Sequence, residues 1–319
     1  MKCSLSILII SLLLFSFSCK QNSSSEKQAV LNNVVYDGPI IDMHLHAYDD
    51  TPILGQTHPP TLRNQTFEGA ETAEALKQQV LERFQKYHIV KAVVADGEHW
   101  LADAPDQILV ASANHPIDSL QKRFDEGHLK AIAEMAPFYG NIRADHPSQL
   151  PYFELAEKLG IPVGFHVLPG GPNYGFHIMP QMLGGMRAYN AEPMQLEDVL
   201  VKFPNLKLYI MHGGWPYVED VKALLYAHPN VYVDIAVLNW ILLKEECYNY
   251  LKSLMDAGFG NRIMYGTDQM VWPQTMDVGI ETINSAEFLS YEQKEDIFYD
   301  NAATFLGFTE SEIQAHKNP

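Results

Sequence analysis

The chain has 319 residues, of which 47% are hydrophobic and 19% are charged. This composition is sufficient for a buried core and excludes the charge-rich class of disordered proteins. The chain contains 22 Lys and Arg residues and 39 Asp and Glu residues, which gives a formal net charge of −17. This charge argues against a nucleic-acid partner, because phosphate backbones would be repelled. We therefore expect a globular protein without a nucleic-acid partner, although the net charge does not identify its substrate.

The amino-terminal segment has the layout of a secretory signal. Residues 1–19 contain an apolar run, Leu5–Phe17, and end in small residues before Cys19. This run is shorter than the ~20 residues that cross a membrane. The sequence up to Cys19 resembles a bacterial lipoprotein processing site, and the alternative is an ordinary cleaved signal with an incidental cysteine. With residues 20–38 as a polar tether, we expect an exported protein that is periplasmic or attached to the bacterial envelope only through a lipid anchor.

From residue 39 to residue 319 the sequence predicts one (β/α)8 TIM barrel. Short apolar runs alternate with amphipathic stretches, which is the pattern of repeated βα units around a parallel sheet. One barrel accounts for this length without a second domain, and the sequence leaves open whether copies of the chain form a homo-oligomer. The eight predicted strands are Ile40–His46, Lys91–Asp96, Gln107–Ala113, Leu129–Met135, Ile161–Val167, Leu206–His212, Val231–Val237 and Arg262–Asp268.

The stretches between the strands differ in length. Helices are predicted over residues 72–87, 151–159, 218–227 and 245–257. Residues 97–106 are too short for a complete crossover helix. Two long connections, 47–71 and 168–197, are rich in Gly, Pro and Asn. Because long connections in a barrel of this size are usually functional, we expect these two loops to form the wall of a substrate pocket.

Polar residues at the carboxyl ends of the predicted strands point to a metal site. His44 and His46 flank one residue at the end of the first strand, so both imidazoles project to the same face. His166, His212 and Asp268 lie at the ends of the fifth, sixth and eighth strands, on the face where such barrels carry their active sites. One histidine alone is typically a core residue bonded to a backbone carbonyl. The convergence of all four predicts a divalent-metal site.

Five fragments of the sequence together resemble the amidohydrolase superfamily. The fragments are IIDMHLH (40–46), VGFHV (163–167), IMHGGWP (210–216), YGTD (265–268) and DNAATFLG (300–307). The resemblance is to the amidohydrolase-related branch, which includes aminocarboxymuconate semialdehyde decarboxylase and several lactonases and decarboxylases. It implies a (β/α)8 barrel in which His44, His46, His166 and Asp268 surround a divalent metal, most often zinc, with His212 close by.

The predicted chemistry follows from these groups. A divalent cation with one open position lowers the pKa of bound water from ~15.7 to ~7 and so supplies hydroxide at neutral pH. Asp268 would accept the proton of that water and pass it to the leaving group, and His212 would polarise or protonate the substrate oxygen. Asp42 shares the predicted face of His44 and is a candidate partner deeper in the barrel.

Glu134 on the fourth predicted strand leaves the number of metal ions open. Some members of the superfamily place a Glu or a carboxylated lysine there to bridge two metals, and Glu134 lies at the matching position. The alternative is a carboxylate that hydrogen-bonds a histidine ligand or a loop. The sequence is therefore compatible with one zinc ion or with two.

The loops supply four candidate substrate-binding residues, Arg187, His177, Trp215 and Trp272. The first two lie in the fifth-strand loop, where Arg187 would clamp a carboxylated substrate through paired hydrogen bonds. Arg63 and Arg143 compete for that role. Trp215 and Trp272 directly follow the sixth and eighth strands and would stack on a flat substrate, with packing at the core or the rim as the alternative.

The sequence as a whole favours an exported, metal-dependent hydrolase that attacks an ester, lactone or amide carbon of a small molecule with metal-bound hydroxide. One alternative is a metal-dependent decarboxylase, in which a protonated Asp268 or His212 supplies a proton to carbon. Another is a lipid-anchored barrel that binds a metal or a small ligand without turnover. The presence of all the expected reactive groups argues against this last class.

Overall fold

Eight parallel strands pair in the order in which they occur along the chain. The computed structural model describes residues 34–171 and 185–318. Each strand from β1 to β8 pairs with the next in parallel register. The strands are β1 (Ile40–His46), β2 (Ile89–Ala95), β3 (Ile108–Ala111), β4 (Leu129–Met135), β5 (Val163–His166), β6 (Leu208–Met211), β7 (Val231–Asp234) and β8 (Ile263–Met264). The predicted single (β/α)8 barrel is confirmed.

Backbone hydrogen bonds connect β1 to the residues that follow the short β8. The N–H of Met43 donates to the carbonyl of Tyr265 at 3.0 Å, and the N–H of Asp268 donates to the carbonyl of His44 at 2.7 Å. These two bonds bring the last strand beside the first. They also fix Asp268 next to the histidine pair of β1.

Helices cover the outside of the barrel. In the described ranges they are α1 (Ala73–Lys86), α2 (Ile117–Asp125), α3 (Leu150–Leu159), α4 (Glu197–Lys202), α5 (Val218–Ala227), α6 (Leu238–Ile241), α7 (Lys244–Asp256), α8 (Gln274–Asn284), α9 (Tyr291–Glu295), α10 (Asn301–Leu306) and α11 (Glu310–Lys317). The local sequence explains α1, where the side chain of Thr72 accepts the N–H of Ala75 and caps the first turn. Leu76, Val80 and Phe84 recur every four residues and are its buried face.

All eight predicted strands and all four predicted helices are present, with ends that differ by a few residues. The connection between β2 and β3 contains only a 3-10 turn, Gly97–Trp100, as the length of 97–106 predicts. The largest difference is β8, which pairs over two residues instead of seven. The backbone after Met264 bonds to β1, to Ile297 and, beyond the end of β7, to Val237.

The barrel interior is filled with apolar side chains below the strand ends. One buried cluster combines residues of β1, β2, β3, β4, β6 and β8, among them Ile41, Met43, Val93, Tyr209 and Met264. Strands on opposite sides of the sheet meet only inside the barrel, so this cluster is its packed core. Chemistry is therefore confined to the carboxyl ends of the strands, above the core.

Residues 34–38, which the sequence analysis assigned to the tether, pack on the barrel. Tyr36 is buried, and its N–H donates to Oδ1 of Asn284 at 2.8 Å. Lys294 donates to the carbonyl of Val34 at 2.6 Å. The predicted signal and residues 20–33 of the predicted tether lie outside the described residues. Within 34–171 and 185–318, no helix is long and apolar enough to cross a membrane.

Candidate active site

Four imidazoles and three carboxylates meet at the carboxyl ends of six strands. Each residue ends a strand, lies near its end or directly follows it, and each side chain is largely or fully buried. The seven residues are His44 and His46 of β1, Glu134 of β4, His166 of β5, His212 after β6, Asp234 of β7 and Asp268 after β8. The structure thus brings together all the residues that the sequence predicts as metal ligands or catalytic groups, and it adds Asp234.

The first group of ligand atoms combines the Nε2 atoms of His44 and His46 with one oxygen each of Asp268 and Glu134. Nε2 of His46 lies 3.2 Å from Oδ1 of Asp268 and 3.4 Å from Oε2 of Glu134. Nε2 of His44 lies 3.8 Å and 3.7 Å from the same two oxygens. Ligand atoms at ~2.1 Å from one zinc ion in tetrahedral geometry are about 3.4 Å apart. The spacing of this group therefore matches that of ligands to a single ion.

The second group uses the other oxygen of Glu134. Its Oε1 lies 2.5 Å from Nδ1 of His166 and 3.2 Å from Nε2 of His212. The two ring nitrogens are 3.1 Å apart. Glu134 therefore faces one histidine pair with each of its oxygens.

Backbone carbonyls set the tautomers of this second group. Nε2 of His166 is 3.1 Å from the carbonyl of Leu168, and Nδ1 of His212 is 3.3 Å from the carbonyl of Ala236. Because a carbonyl only accepts, those nitrogens carry the protons in the neutral rings. The opposite nitrogens then present lone pairs to each other and to Glu134. Such a cluster of acceptors is stable only with a cation or a proton among them.

Asp234 positions two of the imidazoles from behind. Its Oδ1 accepts the backbone N–H groups of His212 and Ala236 at 2.8 and 3.0 Å, and its Oδ2 lies 3.3 Å from Nδ1 of His44. A carboxylate on the far nitrogen of a histidine fixes the ring and directs Nε2 to the metal.

Asp42 acts on the backbone and not on an imidazole. It accepts the N–H groups of His44 and Thr267 at 3.0 Å each, and it also accepts the Thr267 hydroxyl. Burial raises the pKa of Asp42 to about 7, against the lowering effect of these bonds. The predicted place of Asp42 behind the ligands is thus observed, although its contact to His44 is through the main chain.

Two residues of the site have a backbone conformation that is uncommon outside glycine. The φ angles of His212 and Asp268 are 57° and 52°, in the left-handed region that side chains other than glycine seldom adopt. In each case the N–H is bonded to another site residue, Asp234 or His44. The surrounding site therefore holds the conformation that directs both side chains into the cluster.

The electrostatics of the cluster favour a bound cation. Burial alone lowers the pKa of His44, but the carboxylates of Asp268, Asp234 and Glu134 outweigh it and raise that pKa to about 10. Burial alone raises the pKa of Glu134, but the imidazoles of His166, His212 and His44 hold it well below its usual range. An excess of negative charge at this depth binds protons or a divalent ion.

The donor set fits a divalent metal. Three groups of imidazoles and carboxylates have ligand atoms within 4.8 Å of one another: His44, His212 and Asp234; His44, His46 and Glu134; Glu134, His166 and His212. Nε2 of His44 and Oδ1 of Asp268 are buried and have no hydrogen-bond partner within 34–171 and 185–318. Nitrogen and oxygen ligands without sulfur suit zinc and manganese.

A cavity of about 340 Å³ opens onto the cluster, within the usual size range of small-molecule sites. His166, His212 and Asp268 form its floor. Its described wall is mainly apolar and aromatic and consists of Tyr48, Thr51, Pro52, Ile53, His58, Tyr139, Leu168, Gly170, Gly171, Met186, Val237, Trp240, Ile241, Met270 and Trp272. Both long loops contribute to this wall, as the sequence predicts.

The four candidate substrate-binding residues lie in different environments, and one of them is outside the described residues. Trp272 is buried in the cavity wall, and its Nε1 donates to the carbonyl of Gln56 at 2.8 Å. Trp215 lines an adjoining depression and donates to Glu246 at 3.0 Å. Arg187 is exposed, donates to the carbonyl of Met186 at 2.7 Å, and is absent from the described cavity wall. His177 lies outside the described residues.

Sequence reasoning missed Asp234, Tyr48 and His58. Asp234 ends an otherwise apolar strand, and this isolated carboxylate was the available signal. Tyr48 follows the histidine pair by two residues and stacks on His46 with ring centroids 5.2 Å apart. His58 lies within the first long loop, where no periodicity marks it.

The barrel and its cluster define a metal-dependent enzyme with its active site at the carboxyl ends of the strands. A family model described as amidohydrolase matches residues 41–308, and the chain belongs to this family. It is thus a metal-dependent enzyme of the amidohydrolase superfamily, as the resemblance of its motifs implied. The protein fluG of Emericella nidulans is 21% identical over 115 residues, which are 35% of this chain and only 13% of that protein.

Solved structures of low sequence identity share the fold. A TIM-barrel protein of Bordetella bronchiseptica is 17% identical with a TM-score of 0.62, covering 84% of this chain and 98% of that one. A probable 2-pyrone-4,6-dicarboxylic acid hydrolase from Acinetobacter baumannii is 12% identical with a TM-score of 0.58 (84% and 99%). The 5-carboxyvanillate decarboxylase of Sphingomonas paucimobilis is 13% identical with a TM-score of 0.56 (85% and 99%).

Proposed function

We propose that this protein hydrolyses an ester, lactone or amide bond of a small molecule with the help of two divalent ions that share Glu134. The observation that carries the proposal is the position of Glu134 between the two histidine pairs, one of which, His166 and His212, also lines the cavity. The first ion would be held by His44, His46, Glu134 and Asp268. The second would be held by Glu134, His166 and His212.

The ions would supply a nucleophile, since a divalent cation lowers the pKa of bound water to ~7. Asp268 faces the cavity floor with an oxygen that has no hydrogen-bond partner. With Oδ1 among the ligand atoms, the second oxygen of the carboxylate would take the proton of the attacking water and pass it to the leaving group. Tyr48 lines the same cavity, and its phenol would donate to the substrate carbonyl.

Hydrolysis fits these residues better than decarboxylation. A carboxylate that ligates a metal is ionised, because a ligand must lose its proton to bind. In the resting enzyme Asp268 is then a proton acceptor, whereas decarboxylation needs a donor to carbon. With Nε2 of His212 directed to Glu134 and His166, His212 is likewise a ligand and not a free acid.

The test is metal content together with hydrolysis. Protein purified without chelators should contain about two zinc or manganese ions per chain by elemental analysis. It should hydrolyse members of a panel of neutral aryl esters and lactones, and treatment with a chelator should abolish the activity until zinc or manganese is returned. A metal-loaded protein that is inactive on the panel but decarboxylates aromatic acids would contradict the hydrolase.

We also propose that the protein is exported and anchored by a lipid on Cys19. The support is the order of apolar run, small residues and cysteine in residues 1–19. In a bacterial host, the intact protein should fractionate with membranes, and a Cys19→Ser variant should not. Equal membrane attachment of both forms would contradict the lipid anchor.

A further inference from the structure

His58 is a buried histidine that belongs to none of the three metal-ligand groups found among the described residues. Only 5% of its surface is exposed. Three aromatic rings meet it edge-on, with ring centroids 6.2 Å away for Phe67, 5.2 Å for Trp240 and 4.6 Å for Trp272. These contacts fix the plane of the imidazole in the cavity wall.

The hydrogen bond of His58 determines which nitrogen is available. Nδ1 lies 2.5 Å from the carbonyl of Pro59. Because a carbonyl cannot donate, Nδ1 carries the proton and Nε2 carries a lone pair in the neutral ring. Burial lowers the pKa of His58 below its usual value, which favours that neutral form. No described residue forms a hydrogen bond with Nε2.

The same cavity lacks a cation in its described wall. None of the described lining residues is Lys or Arg. Arg63 is used elsewhere, since its guanidinium donates to Thr282 at 2.7 Å and to the carbonyls of Asn239 and Leu242.

A carboxylate away from the metal cluster would therefore lose hydration without gaining a partner of opposite charge, which is costly. A hydroxyl or N–H group would instead meet the free acceptor of His58. A neutral polar group of this kind in a mainly apolar wall is a common way to orient a ligand.

We infer that the substrate is apolar and uncharged except for the group held at the metal cluster, and that it donates one hydrogen bond to Nε2 of His58. This inference rests on the proposed function, which places the reacting group at the cluster. It makes His58 a positioning residue that selects the substrate. It also predicts that the substrate of this protein is not a dicarboxylic acid, in contrast to the compound in the name of the Acinetobacter baumannii protein.

Calorimetry tests this inference. It measures the binding of four kinds of non-hydrolysable benzoate to the metal-loaded protein. Benzoate, the hydroxybenzoates, the methoxybenzoates and the benzenedicarboxylates, each with the substituent at position 3 or 4, present the same carboxylate to the metals. We expect the better hydroxybenzoate to bind about tenfold more tightly than its methyl ether, since a hydrogen bond of ~1.4 kcal/mol changes affinity tenfold. We expect both dicarboxylates to bind at least tenfold more weakly than benzoate.

Two variants assign the hydroxyl preference to Nε2. His58→Asn retains a donor for the Pro59 carbonyl but has no atom at the position of Nε2, so it should bind hydroxybenzoate and methoxybenzoate equally. His58→Gln places a polar atom near that position and should recover part of the preference. His128→Asn, at an exposed histidine outside the cavity, is the matched control and should behave as the unmodified protein.

A dicarboxylate that binds the unmodified protein as tightly as benzoate would overturn the inference, and so would a hydroxyl preference that survives in His58→Asn. The ligand order in the unmodified protein decides the first point even if a variant fails to fold. Because binding is measured without turnover, absence of ester and lactone hydrolysis with the ligand order intact would count against the hydrolase and not against this substrate class.

Discussion

Nδ1 of His44 lies 3.3 Å from Oδ2 of Asp234, whose other oxygen accepts the backbone N–H of His212 at 2.8 Å. One buried carboxylate on β7 thus contacts a histidine of each group of ligand atoms, the ring of His44 and the backbone of His212. Glu134 contacts ring nitrogens of both groups from the other side.

Replacing Asp234 by Asn should weaken metal binding without removing a ligand. The amide keeps the size of the side chain but loses the charge that fixes the ring of His44, and loss of such partners typically costs ~10–100-fold in metal affinity. Competition with a chromophoric chelator measures this directly. The exposed Asp256→Asn change is the control and should leave affinity unchanged. Equal affinities in both variants would show that Asp234 does not position the ligand.

Replacing Glu134 by Gln should reduce the number of bound ions. The carboxylate has one oxygen toward His46 and the other toward His166, whereas an amide offers only one oxygen. We expect the metal content to fall from about two ions per chain to one or none, and elemental analysis after dialysis is the measurement. Two ions retained in Glu134→Gln would contradict a carboxylate shared by both ions and favour the alternative, a carboxylate that hydrogen-bonds a histidine ligand or a loop.

Replacing Asp268 by Asn should remove turnover while leaving metal in place. His44, His46 and Glu134 still provide three ligands, but the variant has no carboxylate to accept the proton of the attacking water. Loss of a general base typically lowers the rate by about 10²–10⁴-fold. We expect that decrease in kcat with metal content retained. Full activity in a metal-replete Asp268→Asn protein would refute the proton-transfer role.

Strand order and the main ligands could be predicted from the sequence because both depend on local signals. The alternation along β1 places His44 and His46 on one side, and parallel strands bring their carboxyl ends to one face. His166, His212 and Asp268 follow from the same rule. Asp234 obeys it too, but spacing alone does not distinguish a positioning carboxylate from an ordinary polar residue at a strand end.

The loop residues could not be predicted because distant elements set their conformation. His58 acquires its orientation from Trp240 in α6 and from Trp272 after β8, which no local pattern in residues 47–71 encodes. The arginines show the same limit. A carboxylate clamp is consistent with the chemistry of Arg187, yet that side chain is exposed, whereas Arg63 is folded against α6 and α8.

Metal removal should destabilise the protein through the cluster. A free metal ion at 100-fold its Kd raises the free energy of unfolding by about 2.7 kcal/mol. For a chain of this size, this corresponds to an increase of roughly 5–10 °C in melting temperature. We expect a decrease of that size on chelation and recovery when zinc or manganese is added. The double variant His44→Ala/His46→Ala should contain less metal and show a smaller response to chelator. An unchanged melting temperature after chelation of the unmodified protein would contradict a metal bound at this cluster.

Arg63 should stabilise the first long loop and not contact substrate. Its guanidinium donates to the hydroxyl of Thr282 and to the carbonyls of Asn239 and Leu242, so three acceptors lose a charged donor in Arg63→Met. We expect a loss of roughly 2–4 kcal/mol in the free energy of unfolding, measured in urea at saturating metal.

Arg143 provides the matched control, because it is 43% exposed and pairs only with Asp145 among the described acidic residues. Surface pairs of this kind contribute about 0–1 kcal/mol to the free energy of unfolding, so Arg143→Met should be nearly neutral.

In Arg63→Met, loosening of residues 47–71 would also displace His58 from the cavity wall. Arg63→Met should therefore weaken hydroxybenzoate binding more than methoxybenzoate binding. A variant with native stability and a selective loss of carboxylated ligands would instead make Arg63 a substrate clamp.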